Sequence, residues 1–125
     1  MQIEAESISV ERVLEYTKLP REGFYKSGRE LPEGWPKKGG SIEVKNLVFR
    51  YRDELPPVIK GINFDVKPYE HVGIVGRTGC AKSTTTMALF RVNNPDEGSK
   101  IIFDGINILD DVGLHDSRRG LSIVP

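Results

Sequence analysis

The residues best suited to chemistry form one short segment, Gly76-Arg77-Thr78-Gly79-Cys80-Ala81-Lys82-Ser83-Thr84. Glycines let a backbone wrap a phosphate with its N–H groups pointing inward. A lysine supplies charge for the terminal phosphates, and a hydroxyl at the start of a helix can bind Mg²⁺. Gly76, Lys82 and Ser83 stand at the spacing that such a loop requires. The segment therefore predicts a binding site for a phosphate chain.

One position in this segment departs from the usual pattern, because Ala81 stands where the loop ordinarily has its second glycine. If the backbone there needs a positive φ, alanine costs on the order of 1–2 kcal/mol. Its methyl group can also crowd the phosphates, and each loss of about 1.4 kcal/mol weakens binding about tenfold. We therefore expect weakened binding, and binding in preference to fast hydrolysis.

Elements of the right type are predicted on both sides of the loop. The run from 71 to 75 is almost continuously apolar, which is typical of a strand covered on both faces in a parallel sheet. Residues 82–92 contain no Gly or Pro and predict a helix that ends at Asn93-Asn94-Pro95. A strand, a loop and a helix in this order favour a phosphate loop over an ordinary strand-to-helix turn.

The chain divides into three predicted parts. Residues 1–18 place apolar side chains at helical spacing and predict a short amphipathic helix. Residues 19–40 hold three prolines and five glycines and predict a linker arm. Residues 41–125 form the third part and include the loop. The arm contains three aromatic side chains that we expect to lie against a surface: Phe24, Tyr25 and Trp35.

Strand patterns dominate the third part outside the loop and its helix. Residues 41–49 and 58–66 predict two strands of an antiparallel portion, and shorter apolar runs at 101–103 and 121–124 predict two more. The expected fold class is α/β, in which the antiparallel portion leads into the first strands and helix of a parallel sheet.

The composition narrows the class of protein. A length of 125 residues favours one domain. Equal numbers of basic and acidic residues, 18 of each, argue against a nucleic-acid partner. A single cysteine excludes a small secreted disulfide scaffold. No apolar run approaches 18 residues, so no membrane-spanning segment is expected within the chain.

Several segments, in order along the chain, resemble one family: the nucleotide-binding domain of ABC transporters, specifically the second such domain of the multidrug-resistance-associated subfamily C. The segment from 9 to 16 is similar to the one that joins the last membrane helix to that domain. The remaining matching segments are Phe49-Arg50-Tyr51-Arg52, Val58-Ile59-Lys60-Gly61-Ile62, Val72 through Gly79, Ala88-Leu89-Phe90-Arg91, Phe103-Asp104-Gly105-Ile106 and Gly113-Leu114-His115-Asp116.

This resemblance implies a partial P-loop NTPase core that binds ATP and Mg²⁺. Residues 76–83 would be its Walker A loop, with Lys82 on the β- and γ-phosphates, Ser83 on Mg²⁺ and Thr84 near the α-phosphate. Tyr51 would stack on adenine. The alternative for Tyr51 is an aromatic side chain that covers the sheet at an edge strand. Val58 would be an apolar contact near the base.

The resemblance also implies partners and a location. They are a second nucleotide-binding domain and the transmembrane domains of a parent exporter, at the cytoplasmic face of a membrane. The family continues beyond Pro125 with its catalytic half, so we expect the isolated chain to be inactive. One alternative is a degenerate or truncated ATP-binding module that is regulatory or structural. Another is an unrelated P-loop kinase or GTPase, in which Tyr51 has no stacking role.

Overall fold

The structure, a computed structural model, describes residues 2–79 and 81–124. Helix α1 (Gln2–Thr17) agrees with the helix predicted near the N-terminus. Its apolar side chains, among them Ile3, Val10 and Val13, are more than half exposed. Within these ranges, no helix is both long and apolar enough to span a bilayer.

A four-stranded antiparallel sheet forms the centre of the fold. Its strands are β1 (Ile42–Phe49), β2 (Ile59–Val66), β3 (Lys100–Phe103) and β4 (Ile106–Asn107), in the order β2-β1-β3-β4. β1 pairs with both β2 and β3, and β3 pairs with β4. The first three strands lie where the apolar patterns predicted them, whereas the two-residue β4 was not predicted.

A bulge in β1 decides which of its side chains enter the core. The register is irregular between Val44 and Leu47, and Asn46 has a φ of 48°. Strict alternation would bury every second residue after Val44, but the extra residue shifts the pattern so that Leu47 and Phe49 are buried instead. These side chains pack in one cluster with residues from the other elements: Ile59, Ala88, Ile101, Phe103, Ile108 and Val112.

A two-residue turn joins β3 to β4. Asp104 and Gly105 have φ values of 47° and 83°, and positive φ at both central residues is what a primed hairpin turn requires. The carboxylate of Asp104 accepts hydrogen bonds from the backbone N–H groups of Lys37 (2.7 Å) and Ser41 (2.9 Å). The turn therefore also holds the end of the linker arm.

The strand predicted over residues 71–75 is wrong. This segment has no regular structure and is exposed throughout, with Val75 93% exposed. A strand covered on both faces needs hydrogen-bonded neighbours and packing layers, and in the part of the chain that the structure describes no strand pairs with this segment. The strand predicted over 121–124 is absent for the same reason.

The helix predicted over 82–92 is present but shorter. Helix α2 (Lys82–Leu89) ends in a Schellman motif, in which the N–H of Val92 bonds to the carbonyl of Met87 and the N–H of Arg91 to that of Ala88. Arg91 takes the left-handed position of this motif, with a φ of 53°. Glycine is the usual signal for that position, so the sequence did not reveal the end.

The linker arm lies against a third helix, α3 (Leu114–Arg119), which the sequence did not predict. The N–H of Leu114 donates to the carbonyl of Phe24 (2.8 Å), and that of His115 donates to the carbonyl of Tyr25 (3.1 Å). The expectation that Phe24 packs its ring against a surface is wrong, because it is 86% exposed and its backbone makes the contact. Tyr25 is mostly exposed, yet its hydroxyl lies 3.0 Å from Nδ1 of His115.

Two polar contacts fix the arm more firmly. Trp35 is buried, as expected, and its Nε1 donates to the carbonyl of Phe103 at 2.8 Å. The hydroxyl of Ser27 donates to Asp116 at 2.5 Å, and this bond holds the pKa of the Asp116 carboxyl below its usual value. Because the pKa of Asp116 is lowered in the folded state, the ionised carboxyl contributes to the free energy of unfolding. That contribution is full above the unfolded-state pKa and is lost as pH falls through the folded-state pKa.

Gly113 offers a test of the arm contact. A Cβ there would lie 2.4 Å from the backbone carbon of Lys26, whereas one at Gly73 would meet nothing within 4 Å, and neither glycine has a left-handed backbone. We expect Gly113→Ala to lower the free energy of unfolding by about 1–3 kcal/mol through overpacking. Gly73→Ala should change it by less than about 0.5 kcal/mol.

Urea unfolding followed by the fluorescence of Trp35 measures both variants. Equal unfolding midpoints for Gly113→Ala and Gly73→Ala would show that the arm does not pack on α3 as described.

Candidate phosphate-binding site

The predicted phosphate loop leads directly into α2. Gly79 has a φ of 86°, with open space where a side chain would stand. Ala81, the N-cap of α2, has a φ of 58° and is also left-handed. Cys80, which the sequence placed in the same loop, lies outside the described residues. Left-handed residues on both sides of position 80 give the loop the curl that a phosphate cradle needs.

The backbone at Ala81 therefore has the positive φ that strains an alanine. This strain costs about 1–2 kcal/mol relative to a right-handed position. Among the described residues, no side chain caps the N-terminus of α2. The first N–H groups of a helix have no partner within the helix and carry its positive dipole end. The first residues of α2 line a cavity beside the loop, so the site fits an anionic group.

Lys82 places its ammonium group inside the curl of the loop. Its Nζ donates to the carbonyl of Arg77 at 2.9 Å and also to that of Gly76. An ammonium has three donors, so one remains for a ligand. Gly76 and Arg77 thus contribute backbone carbonyls, and the Arg77 side chain is exposed.

An open cavity of about 470 Å³ joins the loop to the end of β1. It brings together most of the residues that the sequence predicted for the site. Its lining consists of Tyr51, Val58, Thr78, Gly79, Ala81, Lys82, Ser83 and Thr84. The lining combines a cation, the first residues of a helix and hydroxyls with an aromatic and an apolar side chain.

Tyr51 is held in place from three directions. Its hydroxyl lies 2.6 Å from Oγ1 of Thr84, and its ring meets that of Phe49 edge-on, with centroids 6.1 Å apart. Its carbonyl accepts a hydrogen bond from Nδ2 of Asn93 at 2.5 Å. Sequence reasoning missed Phe49 and Asn93 as supports. The available signal for Phe49 was its position two residues before Tyr51 in the chain.

Ser83 offers the site's candidate metal ligand. It is the second residue of α2, and its side chain is exposed at the cavity. Mg²⁺ is commonly held by few protein oxygens together with substrate phosphates. Residues 2–79 and 81–124 contain no group of three His, Cys, Asp or Glu that could hold a metal. The Ser83 hydroxyl is thus the protein oxygen that this site offers to such a metal.

A curled loop at a helix N-terminus, with a lysine in the curl, defines a P-loop nucleotide-binding domain. The family model for ABC transporters matches residues 59–125. The chain belongs to the ABC transporter family, and its relatives place it among the nucleotide-binding domains of subfamily C. This result confirms the resemblance and the α/β P-loop fold class, and it excludes an unrelated kinase or GTPase.

Three relatives show how close the similarity is. The chain is 52% identical over 124 residues to Bile pigment transporter 1 of Saccharomyces cerevisiae, an alignment that covers 98% of the chain. It is 45% identical to Metal resistance protein YCF1 of the same yeast, over 100% of the chain. It is 43% identical to ATP-binding cassette sub-family C member 2 of Homo sapiens, over 99% of the chain. The chain spans about 8% of the length of each relative.

The strain at Ala81 generates a prediction with an internal control. Ala81→Gly removes the left-handed strain, so we expect the free energy of unfolding to rise by up to about 1 kcal/mol, since greater unfolded-state freedom offsets part of the gain. Ala88 lies buried in right-handed helix. Ala88→Gly should therefore destabilise the protein by about 1 kcal/mol.

Chemical denaturation gives both free energies. If the two glycine variants shift stability in the same direction, the left-handed backbone at Ala81 is refuted. Removal of the Ala81 methyl group should also tighten nucleotide binding by up to about tenfold.

Proposed function

We propose that this chain is the ATP-binding part of an ABC-type exporter, in which ATP binding and hydrolysis are coupled to substrate transport. The observation that carries the proposal is the meeting of Tyr51 with the loop around one cavity, although Tyr51 and Thr84 are 33 residues apart in the chain. The cavity lining holds a cation, hydroxyls and an aromatic side chain, which are the groups that the phosphates and base of a nucleoside triphosphate would contact.

At the phosphate end, the chain's own residues would bind and orient the triphosphate. The uncapped N–H groups of α2 and the loop amides would donate to phosphate oxygens, and Lys82 would place its charge on the β- and γ-phosphates. Mg²⁺, when bound, would neutralise charge on the same phosphates, with the Ser83 hydroxyl as its ligand from this chain.

At the base end, Tyr51 would offer a ring face to adenine. Tyr51 is 42% exposed and lines the cavity, as does the apolar side chain of Val58. Stacking of a base on an aromatic side chain contributes about 1–3 kcal/mol. The exposure of Tyr51 and its place in the cavity lining favour this role over that of a sheet cover.

The proposal also assigns each part of the chain a place in a longer parent transporter. Residues 1–18 would follow its last membrane helix, 19–40 would form the linker arm, and 41–125 would be the N-terminal half of the second nucleotide-binding domain. The partners would be the other nucleotide-binding domain and the transmembrane domains, at the cytoplasmic face of the membrane. A relative named as a transporter, Bile pigment transporter 1 of Saccharomyces cerevisiae, supports this arrangement. The balanced charge of the chain offers no footprint for nucleic acid.

A second candidate, an ATP-binding module without turnover, is favoured by the lining of the cavity. Phosphoryl transfer needs an acidic metal ligand and a group that positions water. Among the described residues, the cavity lining contains no carboxylate, and Ala81 adds strain at the cradle. We therefore expect the isolated chain to bind Mg-ATP without hydrolysing it, and turnover to require the parent protein.

Titration calorimetry of the 125-residue chain with Mg-ATP tests the proposal. Lys82→Ala should weaken binding at least tenfold, because it removes the charge in the loop. Lys60→Ala, at an exposed position of β2, is the matched control and should leave the affinity unchanged. Tyr51→Ala should weaken binding about 5- to 150-fold if stacking contributes about 1–3 kcal/mol.

Two calorimetric results would contradict the proposed nucleotide site. No heat with Mg-ATP, or equal affinities for Lys82→Ala and Lys60→Ala, would remove the nucleotide site. In the parent protein, Lys82→Ala should stop ATP-driven transport in membrane vesicles. Phosphate release by the isolated chain at the rate of the parent would overturn the expectation that it binds without turnover.

A further inference from the structure

We propose that Thr84 is a positioning residue, whose hydroxyl holds the Tyr51 ring in the orientation that receives the base. This inference rests on the function proposed above. It differs from the role that the resemblance implies for Thr84, namely contact with the α-phosphate. The structure carries it through one hydrogen bond that joins the phosphate helix to the base platform.

The surroundings of Thr84 direct its hydroxyl away from solvent. Thr84 is only 3% exposed, and its Oγ1 lies 2.6 Å from the Tyr51 hydroxyl. The next residue behaves differently, since Thr85 donates its hydroxyl to the carbonyl of Ala81, one turn back in its own helix. That local bond is the common choice for a helical threonine. Thr84 instead makes its bond to a residue beyond the end of β1.

The hydroxyl bond completes the support of Tyr51. Asn93 holds the main chain of Tyr51, and the rings of Phe49 and Tyr51 pack in a T-shaped pair, but neither contact involves the Tyr51 hydroxyl. Among the described residues, Thr84 is the hydrogen-bond partner of that hydroxyl. If the ligand had to order a mobile Tyr51 ring, the entropy lost by the ring would lower the affinity for the ligand. The bond therefore pre-orients the platform.

This arrangement links the two ends of the nucleotide site. Lys82 and Thr84 lie in the first turn of the same helix, so any movement of that turn moves the support of Tyr51. Base stacking and phosphate binding would then reinforce one another. A residue that touched only the phosphates would give no such link.

Two probes separate the two roles of Thr84. Mg-ATP engages both ends of the site, whereas Mg-tripolyphosphate engages the phosphate end alone. In calorimetry on the 125-residue chain, Thr84→Val should weaken Mg-ATP binding about three- to tenfold, the effect of one hydrogen bond. It should leave the affinity for Mg-tripolyphosphate unchanged. Thr84→Ser, which keeps the hydroxyl, should restore the affinity for Mg-ATP.

Tyr51→Phe removes the same hydrogen bond by deleting the Tyr51 hydroxyl, and it leaves the buried Thr84 intact. This variant therefore tests the proposal even if Thr84→Val does not fold. It should match Thr84→Val, and the double variant should be no weaker than either single one. Thr85→Val is the control. It also removes a buried threonine hydroxyl, but one bonded within its own helix, and it should leave both affinities unchanged.

Equal losses for Mg-ATP and Mg-tripolyphosphate in Thr84→Val would make Thr84 a phosphate ligand and overturn the proposal. So would unchanged Mg-ATP binding in both Thr84→Val and Tyr51→Phe. If the unmodified chain binds neither probe, the proposed function itself fails. If it binds Mg-ATP and tripolyphosphate with equal affinity, the platform role fails while the phosphate site stands.

Discussion

The left-handed turn that enters α2 is the constraint on which the site depends. It places the N-terminus of the helix, including Lys82, at the cavity. Alanine is a poor residue for this backbone, so the packing of α2 must offset the strain. Thr84, Thr85 and Ala88 supply that packing, since all three are buried. A strained turn persists because the helix behind it is held firmly.

The far end of α2 is held just as firmly, by a single guanidinium. Arg118 in α3 donates to the carbonyls of Phe90 (2.8 Å) and Arg91 (3.1 Å), where the helix ends, and it pairs with Glu22 in the linker arm. Hydrogen bonding to Arg118 lowers the pKa of Glu22. The arm, α3 and the phosphate helix therefore form one connected unit, in which the arm is part of the scaffold.

The antiparallel sheet contributes the base end of the site. β1 carries Phe49 in the core and ends just before Tyr51, so a buried ring supports a half-exposed one. The hydroxyl bond from Tyr51 to Thr84 then spans the gap between sheet and helix. Two segments that are distant in the chain thereby line one cavity, which combines polar groups with an aromatic side chain.

Local spacing and polarity were enough to predict the loop, its lysine and hydroxyl, the approximate bounds of β1, β2 and β3, and the burial of Trp35. It did not reveal the bulge at Asn46, the left-handed Arg91 or helix α3, since each depends on contacts between distant segments. The apolar run at 71–75 shows the reason most clearly. Periodicity indicates which faces of a segment favour burial, but whether a partner covers those faces depends on contacts with distant segments. The same reason applies to Thr84, whose hydroxyl has several possible local partners in a helix and finds Tyr51 only because the fold brings that ring alongside.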